Sequence, residues 1–438
     1  MRAMLRRTAS TFVAVALAVS LVGYARESPR LPDAAPAAAG FSAERLDRLH
    51  TRLQPLVDGG HFSGFVTLIA RNGSVVDVRS LGLRDREANL PMERDTIFRI
   101  YSMSKIVTSV AALMLVEEGR LRLNDPIGRY LPALAEPKVF TGRTAARPML
   151  VPAKAPITVR HLFTHTSGYG YGFGQAPVDT LYREADLFSA PTMTAFLERA
   201  ARLPLAEAPG QRFRYGINTD LLGAVVEKVS GQPFEAFVRD RITGPLRMED
   251  TAFVVPAAKR GRLAVLYAKD KAGKLAIPQG PLLATSKPVK NPVPYPDAEG
   301  RGFPSGGGGL FSTIDDYARF GQMLLNGGEL DGVRLLGRKT VESMRSNHLL
   351  FLDRPTTDNG ADGFGLGGAV RRHLAHGGPL GSPGQFGWSG AASTYFNIDP
   401  EEGTMALLFA QHFPHNEHDV FGTFSTMMYA ALVDAPKR

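Results

Sequence analysis

The chain has 438 residues, 44% of them hydrophobic and 21% charged, an ordinary globular composition with room for two cores. It contains no cysteine, which excludes a disulfide framework and a lipid-modified cysteine anchor. Its formal net charge of +9 is scattered without a run of like charges, so no nucleic-acid-binding stripe is present.

Arg2, Arg6 and Arg7 precede an almost wholly apolar stretch, residues 12–22, and Gly23-Tyr24-Ala25 ends in a small residue. That order is the pattern of a secretory leader. The apolar run is shorter than the roughly 20 residues that cross a bilayer, so a cleaved signal peptide over 1–25 ranks above a retained anchor. Export to the periplasm or medium is expected, with no stable membrane anchor after processing, and loss of the three arginines leaves a charge of +6. Residues 26–40 are rich in Pro and Ala and are expected to be a poorly ordered leader.

Ser42 as cap and Leu46, Leu49, Leu53 and Val57 at helical spacing predict a helix over 41–57. Two apolar runs, 65–70 and 75–78, flank Asn72-Gly73 and predict a hairpin. The chain then reaches Ser102-Met103-Ser104-Lys105, with Ile106, Val110, Leu113, Met114 and Val116 forming an apolar stripe and Gly119 a stop. Ser-x-x-Lys recurs by chance, and by itself reads as a helix cap beside a solvated lysine. The apolar helix changes that reading, because it buries Lys105 beside the Ser102 hydroxyl one turn away. A serine so placed can attack a carbonyl carbon while the amine helps to remove its proton.

From 120 to 300 helical segments and Pro-containing loops predominate. A turn is expected at Asn124-Asp125-Pro126, and helices beginning at Thr158, over 187–205 and over 221–229. Tyr215 precedes the last of these, where a phenol can serve as a base. Five prolines between 278 and 304 predict a stiff loop or site rim. Strand signals return at 391–398 and 404–411 around a turn at 400–403, followed by a helix over 420–432. Two hairpins so far apart are best joined in one antiparallel sheet, because a lone hairpin is marginal. The fold class is therefore α+β: an antiparallel sheet flanked by helices, built from 26–100 and 300–438, with a mostly helical domain at 101–299 inserted and carrying the nucleophile helix.

Three other patterns carry less. Gly363-x-Gly365-x-x-Gly368 lacks the acidic residue and helix of a dinucleotide site and reads as a turn. His161 and His165 lie four apart without a third ligand, which favours cap or core roles over zinc, and His412, His415 and His418 sit in a Pro-containing turn. No Gly-x-Ser-x-Gly elbow occurs.

Ser102-x-x-Lys105, Tyr215 and Trp388-Ser389-Gly390, in that order, resemble the three motifs of the class C β-lactamase superfamily, and more narrowly its esterase branch, the family VIII carboxylesterases. Thr164-His165-Thr166-Ser167-Gly168 and Ser305-Gly306-Gly307-Gly308-Gly309-Leu310 are similar to segments of that group, and the resemblance runs from about residue 40 onward. It implies a penicillin-binding-like fold, Ser102 as acylated nucleophile, and Lys105 and Tyr215 sharing base and acid duties in an order the sequence leaves open. It further implies an oxyanion hole from the N–H groups of Ser102 and Ala391, substrate contacts at Trp388, Ser389 and Gly390, and no metal or cofactor. Two positions depart from the β-lactamase pattern: Trp388 stands where a lysine usually reads the drug's carboxylate, and Ile217 where an asparagine usually follows the tyrosine. Both favour a serine esterase acting on small neutral esters over a β-lactamase or D-amino-acid peptidase. A non-catalytic envelope-binding protein ranks third, against the intact Ser102, Lys105 and Tyr215.

Overall fold

The computed structural model describes residues 29–278, 302–350, 362–374 and 378–434. The expected signal peptide lies outside these residues, as does nearly all of the Pro-rich stretch before Gly302. The start of the described chain differs from expectation. Val75 exchanges backbone hydrogen bonds with Pro32 and Ala34, and Leu31 is buried, because the end of the hairpin offers free N–H and C=O groups that the Pro-rich segment satisfies.

Helix α1 (Ala43–Asp58) starts at Ser42, whose side chain accepts the Arg45 N–H. Strands β1 (Gly64–Arg71) and β2 (Ser74–Asp85) turn at Asn72 (φ 51°) and Gly73 (φ 87°), the left-handed pair that an Asn-Gly hairpin turn requires. β3 (Leu90–Pro91) adds an edge. Near the other end come β6 (Asp362–Phe364), β7 (Ala369–Arg371), β8 (Phe386–Gly390), β9 (Thr394–Asp399) and β10 (Thr404–Phe409). They join in one antiparallel sheet of order β6-β7-β8-β9-β10-β1-β2-β3, with Val66 opposite Phe409 and Trp388 opposite Phe396. β4 (Lys138–Phe140) and β5 (Leu150–Pro152) form a separate ribbon.

Side chains alternate across β1 and β10, and both faces are covered, so these strands are buried along their whole length and mostly apolar, with Thr67, Arg71 and Thr404 as the polar exceptions. Phe65, Ile69 and Leu408 pack under α1 and the C-terminal helix α5 (Val420–Ala431). Val66, Leu68, Leu407 and Phe409 face α4 (Ile314–Leu325) and the central helices. Gly321 lets α4 lie flat on Phe396 and Met405. The start of α1 meets the end of α5: Phe41 bridges to Leu432 and the Ser42 N–H donates to the Ala431 carbonyl.

The fold class read from the sequence holds, with three local differences. The helix expected over 187–205 is split into a short turn, Leu187–Ser189, and a helix, Met193–Ala200. Pro191 breaks the first, and the Thr192 hydroxyl caps the second by accepting the Ala195 N–H. The strand expected from 391 begins at Thr394; Ala391–Ser393 is a tight turn with Ser393 at φ 63°. α4 and β8 were not anticipated.

Candidate active site

Helix α2 (Ser104–Glu117) is buried on every side and packs against α3 (Asn218–Ser230). A single 3₁₀ turn, Tyr101–Met103, leads into it, with Tyr101 at φ 44°. A tyrosine in the left-handed region is strained by about 1–3 kcal/mol and persists only where its surroundings hold it. Here the ring is buried against Phe413 and beside Arg99, and the Ile100 carbonyl receives the Thr394 hydroxyl.

That turn presents Ser102, 8% exposed, at the head of the helix. Lys105, fully buried, donates from Nζ to Ser102 Oγ (3.1 Å) and to the Gly307 carbonyl (2.6 Å). The Tyr215 hydroxyl donates to Ser102 Oγ at 2.7 Å, and the Trp388 indole N–H donates to the Tyr215 oxygen at 3.1 Å. Lys105 Nζ also lies 4.7 Å from the Tyr215 ring centre and 5.4 Å from that of Tyr171, where ring faces attract a cation. Lys105 from α2 and Tyr215 from the loop before α3 thus meet on the Ser102 hydroxyl, and Trp388 from β8 bonds to the Tyr215 oxygen behind it. Ala391 packs beside Tyr101, and among the described residues neither its N–H nor that of Ser102 has a backbone acceptor. The other two residues singled out on β8 serve differently. The Ser389 hydroxyl is 2.9 Å from His415 Nε2, and Gly390 has no room for a side chain, because a Cβ would collide with the Ile100 carbonyl and Thr394 Oγ1.

Two groups have site roles that the sequence reading did not assign, although it gave His165 a cap or core place. His165, fully buried, grips both sides of Tyr215: its carbonyl accepts the Arg214 N–H (2.7 Å), and its Nδ1 accepts the Gly216 N–H (3.3 Å). Asn218 Nδ2 lies 3.0 Å from the same nitrogen, and the His165 ring centre is 4.8 Å from that of Tyr215. Burial, reinforced by the charge of Lys105, holds His165 well below its ordinary pKa, so the ring is neutral. With Nδ1 accepting, the proton resides on Nε2. Asp220 is the second. Its Oδ1 accepts the Gly307 N–H (3.0 Å) and the Ser305 hydroxyl, which anchors the residue whose carbonyl holds Lys105. Burial raises its carboxyl above the usual value; Lys105 and the two hydrogen bonds act in the opposite direction. The available signal for both was a short polar run beside apolar sequence, Thr164–Gly168 after Leu162-Phe163 and Asn218–Asp220 before Leu221-Leu222.

The remaining motifs settle into structural roles. His161 Nδ1 accepts the Thr158 N–H, a helix cap. The Gly363–Gly368 segment is the β6–β7 hairpin, and Gly367, at φ 104°, rests on Ser109 of α2. His412 bonds to Glu417 at 2.8 Å, and His418 lies 3.1 Å from His61. Among the described residues no three His, Asp or Glu side chains converge as a metal site.

A hydroxyl shared by a buried amine and a phenol, between a two-faced antiparallel sheet and a helical cap, defines the class: a serine hydrolase on the penicillin-binding fold. The Beta-lactamase family model matches residues 49–425, and the chain belongs to that family. An uncharacterised protein of Mycobacterium tuberculosis is 36% identical over 378 residues, 84% of this chain and 90% of that one. Esterase EstB of Burkholderia gladioli is 35% identical over 265 residues, 58% of this chain and 64% of the esterase. Among solved structures, EstCE1, described as a hydrolase with promiscuous acyltransferase activity, superposes with a TM-score of 0.75 at 27% identity, covering 88% of this chain and 98% of its own. Simvastatin synthase from Aspergillus terreus gives 0.75 at 26%, covering 89% and 99%. The chain is a serine hydrolase related to the family VIII esterases.

Proposed function

We propose that this serine hydrolase is a carboxylesterase that cleaves small, neutral, short-acyl esters through an acyl-enzyme on Ser102. With one proton removed from the Lys105–Tyr215 pair to give the base form, Ser102 Oγ attacks the ester carbonyl as its own proton passes to that pair, and the N–H groups of Ser102 and Ala391 donate to the developing oxyanion. Collapse expels the alcohol, which takes up that proton, and water then cleaves the acyl-enzyme by the same path in reverse.

The observation that carries the substrate class is Trp388. Its indole offers the site apolar surface, and its one N–H is already directed at Tyr215. Lys105 is buried between Ser102 and Gly307, and Arg214 is held by Glu207, so neither stands ready for a substrate carboxylate. A p-nitrophenyl ester and a chromogenic cephalosporin assayed side by side test the reading, with kcat/KM expected to favour the ester. Trp388→Lys should move that ratio toward the cephalosporin by about tenfold, the equivalent of about 1.4 kcal/mol. A ratio that stays constant, or a native preference for the cephalosporin, sinks the esterase reading. An organophosphonate should add one adduct, mapping to Ser102; labelling elsewhere overturns the assigned nucleophile.

A further inference from the structure

In the β4–β5 ribbon, β4 is held to the rest of the described chain, with Val139 bridging to Leu205 and the Phe140 N–H and Lys138 carbonyl bonded to it, while β5 is the outer strand. β5 is exposed on both faces, with Met149, Leu150 and Val151 at 66%, 41% and 44%. These are three consecutive residues; the other exposed large apolar side chains among the described residues fall singly. Scattered apolar side chains are normal on a protein surface, whereas a contiguous run on an outer edge strand is a contact surface or a liability.

The charge around this run gives the contact its chemistry. Residues 136–156 carry Lys138, Arg143, Arg147 and Lys154 against one acid, Glu136. Behind the ribbon a cavity of about 470 Å³ is lined by Leu150, Leu181 and Leu203, with Arg199, Arg202 and Glu184 among its polar groups. Apolar side chains at the ribbon's edge with long cations on either side match the boundary of a bilayer, where the first enter the acyl region and the second reach headgroup phosphates. Among the described residues no helix is long and apolar enough to cross a membrane, so the contact is peripheral.

We propose that the 138–152 ribbon docks the protein on the anionic surface of a lipid bilayer. Each cation near such a surface is worth about fivefold in affinity, so the four provide selectivity for acidic over neutral lipid. The inference does not depend on the ester chemistry.

The absence of cysteine makes a local test direct. In the full-length chain Met149→Cys is labelled with an environment-sensitive fluorophore and titrated with phosphatidylcholine vesicles containing phosphatidylglycerol. A blue shift and a gain in intensity are expected, while the same label at Lys339→Cys, whose side chain is 78% exposed on another helix, stays unchanged. Adding R143E and R147E should weaken the response of the residue-149 label at least about 25-fold without moving the melting temperature. The N-terminal residues are common to every variant, so their own affinity for lipid does not alter these differences. A silent label at 149, or an equal response to pure phosphatidylcholine, overturns the proposal. So does a shift without vesicles that grows with protein concentration as the mass doubles, which would mean self-association through the ribbon.

Discussion

The Tyr215 oxygen gives its hydrogen to Ser102 and receives one from Trp388, so the indole holds the phenol in line with the nucleophile. Trp388→Phe keeps the apolar surface and removes the donor. The kcat for p-nitrophenyl acetate should fall about tenfold, near the worth of one such bond, with KM changed by no more than about twofold. Beneath Tyr215, His165 combines φ 53° with an acceptor at Nδ1. Asparagine tolerates that backbone and can place its amide oxygen close to the same point, whereas leucine does neither. His165→Leu should lose about 2–4 kcal/mol of stability, from a stranded Gly216 N–H and left-handed strain. Thermal melts and kcat measured together should show both losses substantially restored in His165→Asn. A leucine variant with native turnover would reduce His165 to core filling.

At the scale of elements, β8 and the turn before α2 fit one another through Gly390. In Gly390→Ala the added methyl meets the Ile100 carbonyl, two residues before the nucleophile, and the Thr394 hydroxyl. Turnover is expected to drop by about a hundredfold or more while far-ultraviolet circular dichroism stays native, since a displacement near 1 Å is enough to misalign the reacting atoms. The same junction explains what was legible in the sequence. α1, the β1–β2 turn and the Ser102–Lys105 spacing rest on contacts within a few residues, so cap, Asn-Gly and i,i+3 rules suffice. β8 has the sequence Phe-Gly-Trp-Ser-Gly, against strand propensity, and its place is set by close approach to distant backbone. α4 was hidden because its polar residues point inward. Asp316 accepts from Asp250 N–H and Thr251, and Arg319 from the same helix donates to the Leu246 carbonyl, partners 65 to 73 residues away. The nucleophile and its lysine were therefore readable, whereas the histidine that steadies Tyr215 needed the fold.

For the molecule as a whole, buried neutral imidazoles set the acid side of the stability profile. Burial lowers His412 to about 4 and His165 well below its usual value, so between roughly pH 6.5 and 4 the unfolded chain binds protons that the folded one refuses. Stability supplied by the neutral rings is present above pH 6.5 and is lost as the pH falls. The melting temperature should decline through this window, and His412→Gln should flatten the slope whatever it does to the level; an unchanged slope refutes the assignment. The meeting of Phe41 with Leu432 has a different consequence. A linker from Asp434 to Pro29, long enough to leave Leu31 to Ala34 in place on β2, would close the described chain into a ring, and new ends could be opened at the exposed turn around Gly273. Such a circular permutant would deliver Tyr215 and Trp388 from opposite ends of a rearranged gene. It should still hydrolyse ester, because the active site depends on which segments lie side by side and not on the order in which they are synthesised.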